Sequence, residues 1–162
     1  MRLASLAAVS LAALVTSALA ACRPSVDQPV SPPTPASTPR AVLPSGAVLA
    51  LEVAITDEAR TQGLMYRASL PRNAGMVFLF DRVDVYPFWM KNCHFPLDIV
   101  YTLRDGTVTA LLENVPPCDH DPCPNYPPAA GADTVLEVNA GVARASGVSV
   151  GARVRFEGLP PR

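Results

Sequence analysis

The chain reads as mainly β, a compact antiparallel sandwich or barrel with one or two short helices. Three observations carry that expectation. Apolar residues alternate with a period of two at 48–55 and again at 97–103, which is the spacing of a half-buried strand. Asp105-Gly106 sits between two such runs and is a strong hairpin signal. Segments with helical spacing are short and few, so hairpin-joined strands are favoured over a parallel α/β sheet.

Taken in order, residues 48–55 place Leu49, Leu51, Val53 and Ile55 toward a core and Ala50, Glu52 and Ala54 away from it. Residues 57–66 suit a short helix. Asp57 and Glu58 stand where the helix dipole favours acids, Arg67 follows the end, and Gly63 weakens the interior. The run 75–81, Gly-Met-Val-Phe-Leu-Phe-Asp, fits a strand buried on both faces. Residues 87–92 are expected to be extended. Residues 97–103 put Leu97, Ile99, Tyr101 and Leu103 on one face, and 107–115 are the returning strand. Six prolines between 116 and 132 make an irregular loop. Residues 134–139 form a further strand, Gly141 to Gly147 a helical turn, and 152–158 a last strand with Val154 and Phe156 inward.

The start of the chain is of a different kind. Arg2 precedes an apolar stretch from Leu3 to Leu19, and Leu19-Ala20-Ala21-Cys22 closes it. This resembles a bacterial lipoprotein signal, with residues 1–21 removed and Cys22 carrying the acyl chains. A plain cleaved signal or a short membrane helix is the alternative. The stretch is barely the length of about 20 residues that a span needs, and it contains Ser5, Ser10, Thr16 and Ser17. Acyl chains contribute roughly 0.8 kcal/mol per buried CH₂, so the anchor would be lasting. The expected location is outside the cytosol, lipid-anchored to the cell envelope. In a Gram-negative cell Arg23 resembles the outer-membrane sorting pattern, with the domain facing the periplasm. Residues 22–44 are rich in Pro, Ser and Thr and read as a disordered tether, which leaves 45–162 as one folded domain.

Composition narrows the function. The formal net charge is −1, so no basic field exists to hold nucleic acid. No cofactor is implied, and a monomer is expected. Besides Cys22 the cysteines are Cys93, Cys118 and Cys123. An exported protein lives where disulfides persist, and Cys118 and Cys123 flank a short proline-containing loop, so a bridge between them is expected. The rival is copper(I) or zinc on Cys118, His120 and Cys123, with Cys93-His94 near. Cys93 on its own reads as a small buried apolar residue.

Three pieces then recur in one order: QGLMYR (62–67), GMVFLFD (75–81) and FWMKNCHFPLDIVY (88–101). They are followed by the Asp-Gly hairpin, a Pro-Cys…Cys-Pro loop and VLEVNAG (135–141). In these motifs the chain resembles the DUF192 family, also called UPF0127, over about residues 47–157. Cys93-His94 stand where that family more usually has a threonine and an aliphatic residue. The resemblance implies a jelly-roll-like β domain and no particular reaction.

The candidate site therefore rests on individual side chains. In an extended segment Phe88, Met90 and Asn92 share one face and Trp89 and Lys91 the other. An exposed indole beside an ammonium can receive a ligand. Arg67 adds a bidentate donor, and Asp98 points away from the Leu97/Ile99/Tyr101 face. Arg67, Trp89, Lys91, Asn92 and Asp98 are thus a candidate ligand-binding set for a small polar or anionic envelope ligand, such as a sugar, a peptide end or a cell-wall fragment. The structural alternative makes Trp89 a core aromatic and the others caps of turns and strand ends. A hydrolase would need a second carboxylate near Asp98, from Glu52 or Glu137. His-Glu-x-x-His and phosphate-loop motifs do not occur in the sequence.

Overall fold

A computed structural model describes residues 38–161. The expected signal, Cys22 and most of the tether lie outside the described residues. The elements are β1 (Arg40–Val42), β2 (Val48–Ala54), α1 (Asp57–Gln62), β3 (Ala74–Asp84), β4 (Phe88–Trp89), β5 (Leu97–Thr102), β6 (Val108–Val115), β7 (Asn125–Tyr126), β8 (Ala132–Asn139), α2 (Val142–Ala145) and β9 (Arg155–Glu157). Seven strands form one sheet in the order β6-β5-β8-β3-β2-β1-β9, and β4 and β7 make a separate pair.

The class is as expected, mainly β with two short helices, and the sheet curls. Thr107 bridges Arg153, and Val108 N–H donates to the Ala152 carbonyl at 2.9 Å. These contacts join the β6 edge to the segment leading into β9, which lies at the far end of the strand order. The close approach requires Gly106. Its φ is +86°, and a Cβ there would stand 1.8 Å from the Val154 carbonyl oxygen, so a side chain is excluded both by conformation and by contact.

Two expectations are corrected. The sheet is not wholly antiparallel, because β2 and β3 pair in parallel. Helix α1 lies between them in the chain and returns it to the same end of the sheet, as a parallel pair demands. The tether also ends earlier than 44. Arg40–Val42 pair with β2 on one side and with β9 on the other, and Ala41 is buried. A strand held by backbone bonds on both sides needs few large side chains, so its composition resembled a linker.

Helix α1 is shorter than the 57–66 expected. Thr56 caps it, its Oγ1 accepting from Ala59 N–H at 3.2 Å. Gly63 ends it at φ 46°. The run in β3 is buried on both faces at Gly75–Leu79, as its continuous apolar sequence required. β5 is buried on both faces, because the curled sheet covers both of its sides. One core joins Met76, Phe78, Ile99, Tyr101 and Val135 to Leu64, Leu70, Met90 and Cys93. The other, on the opposite face, joins Leu49, Leu51, Val77, Leu79, Val100, Leu136, Val138 and Val154.

Candidate functional site

Alternation in β3 sends Phe78 and Phe80 to the face that α1 overlies. The chain then turns at Tyr86-Pro87 and runs back along β4. Tyr86 stacks on Phe80 with ring centroids 3.7 Å apart, and Phe88 meets Phe78 edge-on at 5.0 Å. Edge-on and stacked geometries suit the ring quadrupoles. Between α1 and this aromatic wall lies a cleft of about 330 Å³, lined by Asp57, Arg60, Thr61, Phe78, Phe80, Tyr86, Pro87, Phe88 and Trp89.

Arg60 is the fixed cation of the cleft. Its Nη1 donates to the carbonyls of Ile55 and Leu79, each at 2.7 Å, and its Nη2 to Asp57 Oδ1 at 2.6 Å. Its guanidinium lies 5.2 Å from the centre of the Phe80 ring. A planar fork held at three points is pre-organised for a ligand.

A narrower niche of about 20 Å³ adjoins the cleft and reaches Leu64, Cys93 and Glu137. Glu137 lies between Met76 of β3 and Ile99 of β5 in the pairing register. It is 4% exposed, and its carboxyl hydrogen-bonds to no other described residue. Burial alone pushes its pKa up to about 8. Burial, and next the charge of Glu137, push the Cys93 thiol up to about 11. Both groups therefore carry their protons at neutral pH, and Cys93 is not a poised nucleophile.

The five residues expected at the site do not converge. Trp89 is on the cleft wall and 41% exposed, while Phe88 and Met90 face inward as alternation required. Lys91 keeps its place beside the indole, with Nζ 5.7 Å from the ring, and pairs with Asp121 at 2.9 Å. Asn92 has left-handed φ, 55°, and its Nδ2 donates to the Tyr66 hydroxyl at 2.8 Å. Arg67 is the expected bidentate donor, but to Glu52, at 2.5 and 2.8 Å. That hydrogen-bonded pairing lowers the Glu52 pKa and raises that of Arg67, and an exposed pair of this kind contributes less than about 1 kcal/mol.

Asp98 is the clear correction. It is fully buried, on the sheet face opposite Glu137. Its Oδ1 accepts from Asn114 N–H and its Oδ2 from Ala143 N–H, both at 2.9 Å. Alternation rightly turned it away from Ile99, but α2 covers that side. Neither Glu52 nor Glu137 shares its face, so the paired-carboxylate arrangement does not form. Arg60, Phe80 and Tyr86 were not in the expected set, and Glu137 was expected only as a second carboxylate for Asp98. An acid inside the apolar run 134–138 was the available signal for Glu137.

The expected bridge between Cys118 and Cys123 is present. It joins the two thiols of the Cys118–His120–Cys123 set to each other, and no cluster of three or more metal-ligating side chains occurs among the described residues. The bridged loop braces the cleft. Cys118 N–H donates to the Met90 carbonyl at 3.1 Å and Asn92 N–H to the Cys118 carbonyl at 3.0 Å, while β7 pairs with β4 through Phe88–Tyr126 and Trp89–Asn125. Reduction, or joint Cys118→Ser and Cys123→Ser substitution, is expected to lower stability by about 2 kcal/mol for so short a loop. A urea titration with and without reductant measures it, and coincident curves would contradict this role.

The DUF192 family model, described as "Uncharacterized ACR", matches residues 41–156. A protein from Sinorhizobium meliloti 1021 described as a "putative transcription regulator" is 35% identical. The match covers 75% of this chain and 93% of that one, with a TM-score of 0.65. A protein of unknown function from Novosphingobium aromaticivorans DSM 12444 is 34% identical over 72% of this chain and 82% of its own, also with a TM-score of 0.65. No curated protein matches. The family match runs from β1 into β9 and takes in both walls of the cleft, and the chain belongs to the DUF192 family.

Proposed function

We propose that this protein is an exported, lipid-anchored binding module that holds a small ligand in the cleft between α1 and β4. The observation that carries the reading is an aromatic-walled cleft with a guanidinium pinned at its edge. A volume of about 330 Å³ falls in the range of small-molecule sites, about 300–1,000 Å³, which pair apolar walls with a few placed polar groups. The ligand presents an apolar face to Phe80, Tyr86 and Trp89 and a polar edge to Arg60. A protonated Cys93 and the engagement of Asp98 in backbone bonds favour binding over hydrolysis. The Leu-Ala-Ala-Cys sequence at 19–22 supports the anchor, and acylated Cys22 in the native product is its test. An unmodified amino terminus would overturn it.

Trp89 is the chain's single tryptophan, so intrinsic fluorescence reads the cleft without a label. A panel of envelope sugars, muropeptides and amino acids is expected to contain a compound that shifts its emission. Trp89→Ala, followed by calorimetry, is expected to weaken that compound at least about tenfold. The same change should cost less than about 1 kcal/mol of stability, because the indole is half-exposed. Undiminished binding to the Ala variant would place the ligand elsewhere.

A further inference from the structure

Glu137 is a polar side chain buried at the end of a niche, with no protein partner for its carboxyl among the described residues. No fully buried side-chain oxygen among the described residues lacks a partner, so the unpaired Glu137 carboxyl still opens onto the niche, where a partner from the cleft side can reach it. The niche, at about 20 Å³, has room for roughly one water-sized group. Its neighbours decide what kind. Arg60 supplies N–H donors and a positive charge, Cys93 a thiol hydrogen and Glu137 an acid O–H. An ammonium would lie beside the Arg60 guanidinium, whose charge the exposed Asp57 offsets only from the solvent side. A carboxylate, with two oxygens, exceeds the space. One neutral acceptor oxygen satisfies both limits.

We propose that the niche is an acyl-carbonyl site: the ligand lays a ring against Trp89 and sends one amide carbonyl oxygen down to Glu137, beside Cys93 and Arg60. This deepens the reading of the cleft as a ligand site and rests on it. An N-acetylated sugar has the required parts, an apolar ring face and a short acyl arm. Burial keeps the Glu137 proton in place through neutral pH, so the acid can donate to the carbonyl. The other titratable groups near it are Cys93 and Tyr101, whose pKa values burial raises further. Arg60 stands on the α1 side, and Glu52 lies across Met76 and is engaged by Arg67.

The test is Trp89 fluorescence of the full chain titrated with N-acetylglucosamine, glucose, glucosamine and glucuronate between pH 6.5 and 9. N-acetylglucosamine is expected to bind at least about tenfold more tightly than the other three at pH 6.5. Its affinity should fall about tenfold by pH 9, as Glu137 loses the proton it donates. Glu137→Gln retains an N–H donor and should bind with a flat pH profile, whereas Glu137→Leu should lose at least tenfold. A flat profile in the unsubstituted protein overturns the role of Glu137, and so does preference for glucose, glucosamine or glucuronate. In each of those cases the fluorescence response keeps the cleft as the site. No response to any of the four overturns this inference and leaves the broader ligand panel to judge the cleft.

Discussion

Asp98→Ala is expected to destabilise the protein by about 3–5 kcal/mol. The carboxylate satisfies two backbone N–H groups that nothing else reaches. In the β5–β6 register Leu97 opposes Val115 while Ile99 opposes Leu112, so β6 carries an extra residue in between. Bulged strands leave an unpaired group, and here the Asn114 N–H, with φ 52°, turns to Asp98 Oδ1. The second oxygen serves the start of α2. Gly141 precedes that helix without a side-chain cap, and Asp98 Oδ2 takes the Ala143 N–H from across the core. Each buried donor left without an acceptor costs about 1–3 kcal/mol, and the vacated volume adds to it. Asp98→Asn keeps one acceptor and should lose about half as much. Urea midpoints at constant m-value measure both. A loss under about 1 kcal/mol for the Ala variant would show that these two bonds do not hold the fold.

Stability is expected to fall as pH rises from about 4.5 to about 8, and Glu137 is the cause. Its folded pKa, about 8, lies above the ordinary 4.5. Below pH 4.5 the group is protonated in both the folded and the unfolded chain. Between the two values only the folded protein holds the proton, so unfolding releases it and the fold weakens by about 1.4 kcal/mol per pH unit. Above pH 8 the loss levels off at several kcal/mol. Glu52 and Asp105 have lowered pKa values and act in the opposite sense, but below about pH 4.5. Glu137→Gln removes the slope, because a neutral amide occupies the same space at every pH. Denaturation of both proteins at pH 5 and pH 8.5 checks this: the Gln variant should gain on the unsubstituted protein by several kcal/mol at the higher pH. Parallel pH profiles would mean that Glu137 is not held protonated by its surroundings.

The same two acids show where sequence reading reached its limit. Period-two alternation correctly turned Asp98 away from Ile99, since side-chain direction in a strand is a local property. What lay on that side was not local. Helix α2 comes some 40 residues later in the chain, and only its docking converts a surface acid into a buried cap. Glu137 had been paired with Asp98 as a candidate carboxylate couple; the register of β5 against β8 puts them on opposite faces. Trp89 and Lys91 were placed side by side by alternation and are so in space. Asp121, which pairs with Lys91, was invisible because it depends on how the bridged loop folds back.

Period, turn chemistry and cysteine placement in the sequence were enough to determine a mainly β domain, its principal strands, the Asp105-Gly106 hairpin and the Cys118–Cys123 bridge. All of these rest on neighbours within a few residues or on spacing along one strand. Only the tertiary structure decided that β2 and β3 run parallel, that Arg40–Val42 belong to the sheet, and that Arg60, the aromatic wall and Glu137 share one cleft while Arg67 and Asp98 do not. Those outcomes depend on register and on which element covers which face, and a polar side chain's meaning is set by the dielectric and the partners it meets there, not by its position in the chain.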